Sequence, residues 1–424
     1  MRRDLNLYWW GQTTSAFGSV FTAVALPVVA IVQLGASPGQ MGLITAASTV
    51  PGMVLGLPAG ALADRIRHPR RALLTLDTFS ALGVGAVALG LADHIVSVGW
   101  LIGLGVLQGL LSILIGCLYF VHLRQLVDAD GIGPVRARLQ AGQYGAALLG
   151  RILAGPVIVA FGSQAALAID AASYLLSATA LLSMRSSDLT APTPGRDSTG
   201  TFHGAASGLR FFAGHPFHRA LLVFLVVPVA AMTGLATLTG PFLLRVIHLP
   251  TGYYGLAFVL SGVTGLAGSA AAARVLGPRS DPRRVTILAF TGGIACCLLL
   301  PLAGGPLPLA VACAALGIGL PIFFGAIANV AVSSVFATDV AEGEMGRITA
   351  ALQVITATAA MLGSLAGGAL GDQLGIRPAL WALCAAALTA AALAGPHALR
   401  SARALRQSEA SGVADLPTPT ETAV

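Results

Sequence analysis

The sequence predicts an all-α membrane protein, with twelve transmembrane helices in two pseudo-symmetric six-helix bundles. Three observations lead there. Of 424 residues, 56% are hydrophobic and only 10% are charged, against about 25% charged in a soluble globular chain. Twelve apolar runs recur at 7–33, 40–63, 72–92, 98–121, 139–162, 165–184, 220–244, 252–273, 285–303, 307–336, 348–371 and 378–396. Each is close to the roughly 20 residues that cross a bilayer. The second half of the chain also repeats the first at a fixed offset. This composition excludes a soluble enzyme, a nucleic-acid binder and a disordered scaffold. The net charge of +7 does not reverse that, because the basic residues are spread over many short loops.

The chain opens with Met1-Arg2-Arg3-Asp4 and then stays apolar to Gln33. That is too long for a signal-peptide core, and no small-residue cleavage site follows a short one. It reads as the first membrane helix, entering from the cytoplasm. All 24 basic residues are Arg. Placing both termini in the cytoplasm puts 21 of them on that side and leaves only Arg245 and Arg377 opposite. The positive-inside rule therefore fixes the orientation. Residues 185–219 are longer and more polar than any other connection, with Ala191-Pro192-Thr193-Pro194-Gly195-Arg196-Asp197-Ser198 and no apolar face. They read as a cytoplasmic linker. The expected organisation is an N-terminal bundle over 1–184, the linker over 185–219, a C-terminal bundle over 220–399 and a disordered cytoplasmic tail over 400–424. The five cysteines fall inside apolar runs without metal-ligand spacing, so they read as packing residues. No metal and no cofactor is expected.

An ungapped shift of 213 residues relates the halves. It lays Gly39, Gly42 and Leu43 on Gly252, Gly255 and Leu256. It lays Pro69-Arg70-Arg71 on Pro282-Arg283-Arg284, and Gln140, Gly150, Gly155 and Gly162 on Gln353, Gly363, Gly368 and Gly375. Duplicated bundles of this kind place a substrate site at their interface.

The loop after the second run reads Gly60-Ala61-Leu62-Ala63-Asp64-Arg65-Ile66-Arg67-His68-Pro69-Arg70-Arg71. Gly60 lets two helices approach closely. Asp64 can cap a helix or pair across the interface between halves, and the arginines can bind lipid phosphate. The loop resembles the cytoplasmic signature of the major facilitator superfamily, Gly-x-Leu-Ala-Asp-Arg-x-Gly-Arg-Arg. Gly60, Leu62, Asp64 and Arg65 match by position, Arg67 stands where the family has Gly, and Arg70 and Arg71 supply the basic pair. Further segments are similar to the macrolide-efflux and enterobactin-exporter branch: Asn6 to Gln12, Ala25-Leu26-Pro27, Ser37-Pro38 before Gly42-Leu43, and Ala168 to Tyr174. The resemblance implies the major facilitator fold, a central cavity, alternating access, and export of amphipathic compounds by proton antiport. In the fifth run, Gly142, Gly155 and Pro156 match the antiporter motif, Arg151 replaces one of its glycines and Val159-Ala160 replaces its closing pair. Gln108-Gly109 lacks the usual preceding Arg, and Gly18 is followed by Ser19 in place of an acid.

Only three charges lie inside the apolar runs: Asp77, Arg151 and Asp170. Ionisable residues at membrane depth face protein or water and mark function by default. Arg151 sits about 16 Å from the outer end of its helix, and Asp170 about 7 Å below the outer surface, at 1.5 Å per residue. Arg151 reads either as a cavity cation for an anionic or carbonyl-rich substrate or as the partner of Asp170 in an ion pair between neighbouring helices. Asp77 reads as a partner for the loop arginines. His122 is the membrane-adjacent histidine to test for proton coupling. Uncharged polar residues outline a substrate cavity: Gln12, Ser19, Gln108, Ser112, Gln143, Tyr144, Thr233, Thr237, Tyr254, Asn329 and Gln353, with Thr13, Ser15, Tyr253, Ser261, Ser333 and Thr356 beside them. Such a sparse polar set in apolar walls suits a bulky amphipathic solute. Gly52, Gly56 and Gly60 repeat at four-residue spacing and read as a smooth sliding face.

The expected function is a secondary active transporter of the bacterial inner membrane that exports a drug-like or natural-product molecule. It is expected to act as a monomer, with small-molecule substrate, membrane lipid and protons as partners and no nucleic acid. Two alternatives stand beside it: an importer of a nutrient or lysophospholipid with the same fold, and a membrane sensor or assembly partner that transports nothing. No nucleophile–base pair, metal cluster or phosphate loop points to an enzyme.

Overall fold

The computed structural model describes residues 2–55, 62–63, 66–126, 132–184, 216–277, 280–339 and 345–414. All regular structure among them is helical. Helix α1 (Arg2–Val28) ends in a π-helical turn, Val29–Gln33. It is followed by α2 (Pro38–Leu55), α3 (Pro69–Ala92) and α4 (Val98–Leu126). The stretch Ile132–Leu182 breaks at Gly162 into α5 (132–161) and α6 (163–182). Helix α7 (Pro216–Pro241) again ends in a π turn, Phe242–Val246. Helix α8 runs through Thr251–Tyr254, a 3-10 turn Gly255–Phe258, and Val259–Val275. Then come α9 (Pro282–Cys296), α10 (Leu307–Asp339), α11 (Met345–Leu374) and α12 (Ile376–Ala414). In lipid every backbone polar group must be satisfied within its own segment, which is why apolar runs of this length become helices. Prolines at the first turn start α2, α3, α7 and α9 without losing a helical hydrogen bond. Asp281 caps α9 by accepting from the Arg283 backbone N–H at 3.0 Å.

Ten helical segments among the described residues are long and apolar enough to cross a membrane. One of them, Arg138–Leu182, is 45 residues long and contains the break at Gly162. It would rise about 68 Å if straight, more than twice the roughly 30 Å hydrocarbon core. Helix α2 has 18 described residues. Helix α12 continues to Ala414, past residue 399, where a disordered tail was expected. Residues 397–410 are mostly Ala, Leu, Arg, Ser, Gln and Glu, a set that carries little penalty in a helix.

The 213-residue repeat reaches into backbone detail. The two π turns lie at equivalent positions, 29–33 and 242–246. Both are closed the same way: the N–H groups of Leu34 and Ala36 bond to the carbonyls of Val29 and Ala30, and those of Ile247 and Leu249 to Phe242 and Leu243. Left-handed residues also pair across the repeat, Gly35 (φ 64°) with His248 (φ 57°) and Gly162 (φ 82°) with Gly375 (φ 87°). Gly162 therefore turns α5 into α6 as Gly375 turns α11 into α12.

Packing divides the molecule unevenly. In the first half, α1 packs on α5 and α6, α2 on α4, and α3 on α4 and α6; in the second, α7 packs on α11 and α12, α8 on α10, and α9 on α10 and α12. The halves meet where α2 packs on α11 and α5 on α8. One apolar core spans both halves, joining Val28, Ile31, Ala154 and Leu167 to Phe242, Leu243, Tyr254 and Leu380. At the end where α1 begins and α12 finishes, hereafter the terminal end, the described cores are separate. Tyr8, Leu73, Leu118 and Leu181 form one, and Leu221, Phe224, Phe336, Ala398 and Ala402 another. Among the described residues, the halves thus share one core at the far end and have separate cores at the terminal end.

Candidate transport cavity

Two glycine seams fuse the far end. Between α2 and α11, a Cβ added at Gly42 would lie 2.7 Å from the Ser364 carbonyl oxygen and 3.2 Å from the Gly368 Cα. Between α8 and α5, a Cβ added at Gly255 would collide with the Arg151 carbonyl oxygen, and one at Gly155 with that of Gly252. The 213-residue shift carries Gly42 onto Gly255, Arg151 onto Ser364 and Gly155 onto Gly368. The closed end is therefore one backbone-to-backbone contact used twice. Polar ties reinforce it: the Arg245 guanidinium donates to the Ile31 carbonyl at 3.0 Å, and Ser37 Oγ donates to Asp372 Oδ2 at 3.2 Å.

Behind the α5–α8 seam lies a cavity of about 570 Å³, lined by Tyr144, Leu148 and Arg151 of α5, Met232 of α7, Ser261, Gly262, Gly265, Leu266 and Ser269 of α8, and Pro321, Ile322, Gly325, Ala326, Asn329 and Val330 of α10. It takes walls from both halves. Arg151 reaches across the seam: its Nη1 donates to the Phe258 carbonyl at 3.2 Å and to Ser261 Oγ at 3.0 Å. The 3-10 turn Gly255–Phe258 meets the following helix at Phe258, and Ser261 Oγ also donates to the Phe258 carbonyl. A second cavity, of about 560 Å³, lies within the first half among α1, α2, α4 and α6. Asp170 is fully buried at its wall. It accepts hydrogen bonds from Thr22 Oγ1 and, at 3.3 Å, from Ser173 Oγ. Ser19 Oγ and Tyr174 OH lie 3.1 Å apart on the same wall. No group of His, Cys, Asp and Glu that could hold a metal ion occurs among the described residues.

A family model described as the Major Facilitator Superfamily matches residues 8–341. The chain belongs to the major facilitator superfamily. It is 26% identical over 392 residues to an uncharacterised MFS-type transporter, YfiS, of Bacillus subtilis (strain 168), and the match covers 86% of each chain. Among solved structures it resembles the nucleoside transporter NupG, with a TM-score of 0.71 at 11% identity, covering 94% of this chain and 99% of that one. It also resembles a bacterial homologue of the iron transporter ferroportin in the inward-facing state, with a TM-score of 0.69 at 15% identity, covering 95% and 99%. At such identities these likenesses show the fold. As a superfamily member the chain is a multi-pass membrane transporter that handles small molecules in a lipid bilayer, and it is not an enzyme.

The residues singled out in the sequence divide among several places in this superfamily fold. Tyr144, Arg151 and Asn329 line the cavity between the halves. Ser19, Gln108, Ser112 and Asp170 line the one inside the first half. Of the two readings of Arg151, the ion pair with Asp170 is not formed, because Arg151 turns to α8 and Asp170 to α1. Gln143 donates to Gln12 at 3.3 Å and ties α5 to α1. Thr233 and Thr237 spend their hydroxyls on carbonyls of their own helix. Tyr254 is buried in the shared core against Phe258, away from the cavity. Gln353 is exposed on α11. Gly155 forms a seam with the exposed Pro156 beside it, whereas Gly142 faces Thr13 and Trp9 of α1. Gly52 faces Ile113 of α4 inside the first half, and Gly56 lies outside the described residues. Asp77 is buried beside Ser177, with its Oδ2 lacking a hydrogen-bond partner among the described residues. Arg70 is turned instead to the carbonyls of Leu181 and Leu182, each at 2.8 Å, and Arg71 is exposed. Gly60, Asp64 and Arg65 lie outside the described residues. Thr22, Met232 and Leu266 were missed. Each sits within an apolar run, and nothing in the sequence reveals which way it faces.

Proposed function

We propose that this chain is a twelve-crossing exporter of amphipathic, drug-like or natural-product molecules, acting by alternating access in the bacterial inner membrane with both termini in the cytoplasm. The observation that carries this reading is the cavity between the halves, sealed at the far end by paired glycine seams and walled mainly by apolar side chains. Pockets of about 300–1,000 Å³ with sparse polar groups suit drug-sized solutes. Twelve crossings are supported by the repeat, since the 45-residue span turns at Gly162 as α11 and α12 turn at Gly375. The arginine asymmetry supports cytoplasmic termini. The split cores at the terminal end then correspond to a cavity open to the cytoplasm. In the cycle, solute enters from that side, the halves close behind it, and the glycine seams part on the other side.

The two bundles of the proposal are residues 1–184 and 220–399, joined by 185–219. Residues around Asp64 and Arg70 would stabilise the state closed to the cytoplasm. Proton antiport is the coupling the reading adopts, and the chain acts as a monomer. The test uses inside-out vesicles containing the protein and a panel of fluorescent amphipathic compounds. Accumulation that needs the transporter and collapses with a proton uncoupler is the expected result. Accumulation that survives the uncoupler removes the antiport part. Transport only in the opposite direction in right-side-out vesicles replaces export by import.

A further inference from the structure

We infer that the cavity between the halves binds an amphipathic organic anion, with Arg151 as its receptor. This deepens the export reading and rests on that cavity being the transport site.

Arg151 is the lone charged residue among those lining the cavity. Its guanidinium carries five N–H donors and no acceptor. Nη1 is engaged by two neutral oxygens, the Phe258 carbonyl and Ser261 Oγ. Nε and Nη2 make no hydrogen bond among the described residues. Those two nitrogens form an edge that matches a carboxylate bidentately. The protein's own intramembrane acid nearby does not fill that role. Asp170 is on the wall of the other cavity, with hydroxyl donors from Thr22 and Ser173. The two charges line different pockets, and a cation at membrane depth without a counter-charge is costly.

The repeat shows that the seam itself does not require the charge. The position equivalent to Arg151 is Ser364, whose backbone carbonyl meets Gly42 just as that of Arg151 meets Gly255. Packing is satisfied by the small residue in one copy, so the guanidinium is an addition to the common framework and it faces the cavity. Leu148, Met232, Leu266, Ile322 and Val330 give that cavity apolar walls, while Tyr144 and Asn329 add a ring and an amide. A single negative charge on a flat apolar body fits this combination. A doubly charged or sugar-like solute would leave most of the wall unmatched.

The test is a fluorescence titration of the full chain in lipid nanodiscs with a matched pair of probes, dansylglycine and its neutral amide. The wild-type protein is expected to bind the acid at least about tenfold more tightly than the amide, a difference of about 1.4 kcal/mol. Arg151→Gln should remove the preference for the acid, and Arg151→Lys should keep part of it, because a point charge lacks the fork. Equal binding of both probes by the wild type overturns the inference, as does a preference that survives in Arg151→Gln or failure of the acid to bind at all. The wild-type comparison decides even if a variant fails to fold. Vesicle transport of neutral amphiphiles with no preference for the acid would reject the anion while leaving export standing.

Discussion

Placing valine at Gly155 is expected to hold the far end open and to slow transport at least about fivefold, with the protein still inserted in the membrane. A Cβ at this position collides with the Gly252 carbonyl oxygen across the α5–α8 seam. The obstacle is backbone, so no side-chain rotation relieves it. Overpacking of this kind costs about 1–3 kcal/mol, which shifts a two-state equilibrium roughly 5- to 150-fold. Gly368→Val should act in the same direction from the other seam, because its added Cβ would sit 2.8 Å from the Pro38 carbonyl oxygen and 3.0 Å from the Gly39 Cα. Gly103 serves as the control, having nothing within 4 Å of an added Cβ. Transport rates in proteoliposomes, corrected for the amount inserted, give the comparison. Wild-type rates for both seam variants would mean that the far end does not close during the cycle.

Joining the halves at that end should stop transport completely and reversibly. Ser37 and Asp372 meet there, with Ser37 Oγ 3.2 Å from Asp372 Oδ2, and both lie near the ends of helices that pack together, α2 and α11. In a background with the five native cysteines replaced by alanine, Ser37→Cys and Asp372→Cys are expected to react together with a short cleavable thiol cross-linker. Linked protein should transport at background level and recover when the linker is cut. Each single cysteine, treated alike, should keep its activity. Full transport by linked protein would show that the far end need not open.

The helices were legible because a bilayer leaves the backbone no alternative, and the runs beginning near residues 7, 98 and 307 correspond closely to α1, α4 and α10. The 213-residue shift was legible in Gly39, Gly42, Gly155 and Gly162, and the structure turns those matches into seams and turns. What each glycine does was not legible. Gly52 and Gly42 lie on the same helix, yet one meets a neighbour in its own half and the other meets the opposite half. The cavity was only partly legible for the same reason. Rotation of a membrane helix about its axis is set by its neighbours, and in helices that are apolar all round the sequence gives little sense of direction. Thr237 and Tyr254 therefore looked like cavity residues and are buried. Whether Arg151 paired with Asp170 or faced a cavity could not be read from the chain, and the two face different helices. Arg151 itself was legible because a lone guanidinium within an apolar run demands an explanation wherever it faces.

In the proposed cycle the halves rock about the cavity, so that closure at one end accompanies opening at the other. Spin labels at Gln40 and Gln373, exposed on α2 and α11 near the far end, and at Gln140 and Arg274, exposed on α5 and α8 toward the terminal end, report on it directly. Double electron–electron resonance on protein in nanodiscs should give two distance populations for each pair, with the short distance of one pair weighted like the long distance of the other. A transported compound should shift both weights in opposite senses. A single fixed distance in both pairs, unchanged by a compound that the same preparation transports, would contradict the account.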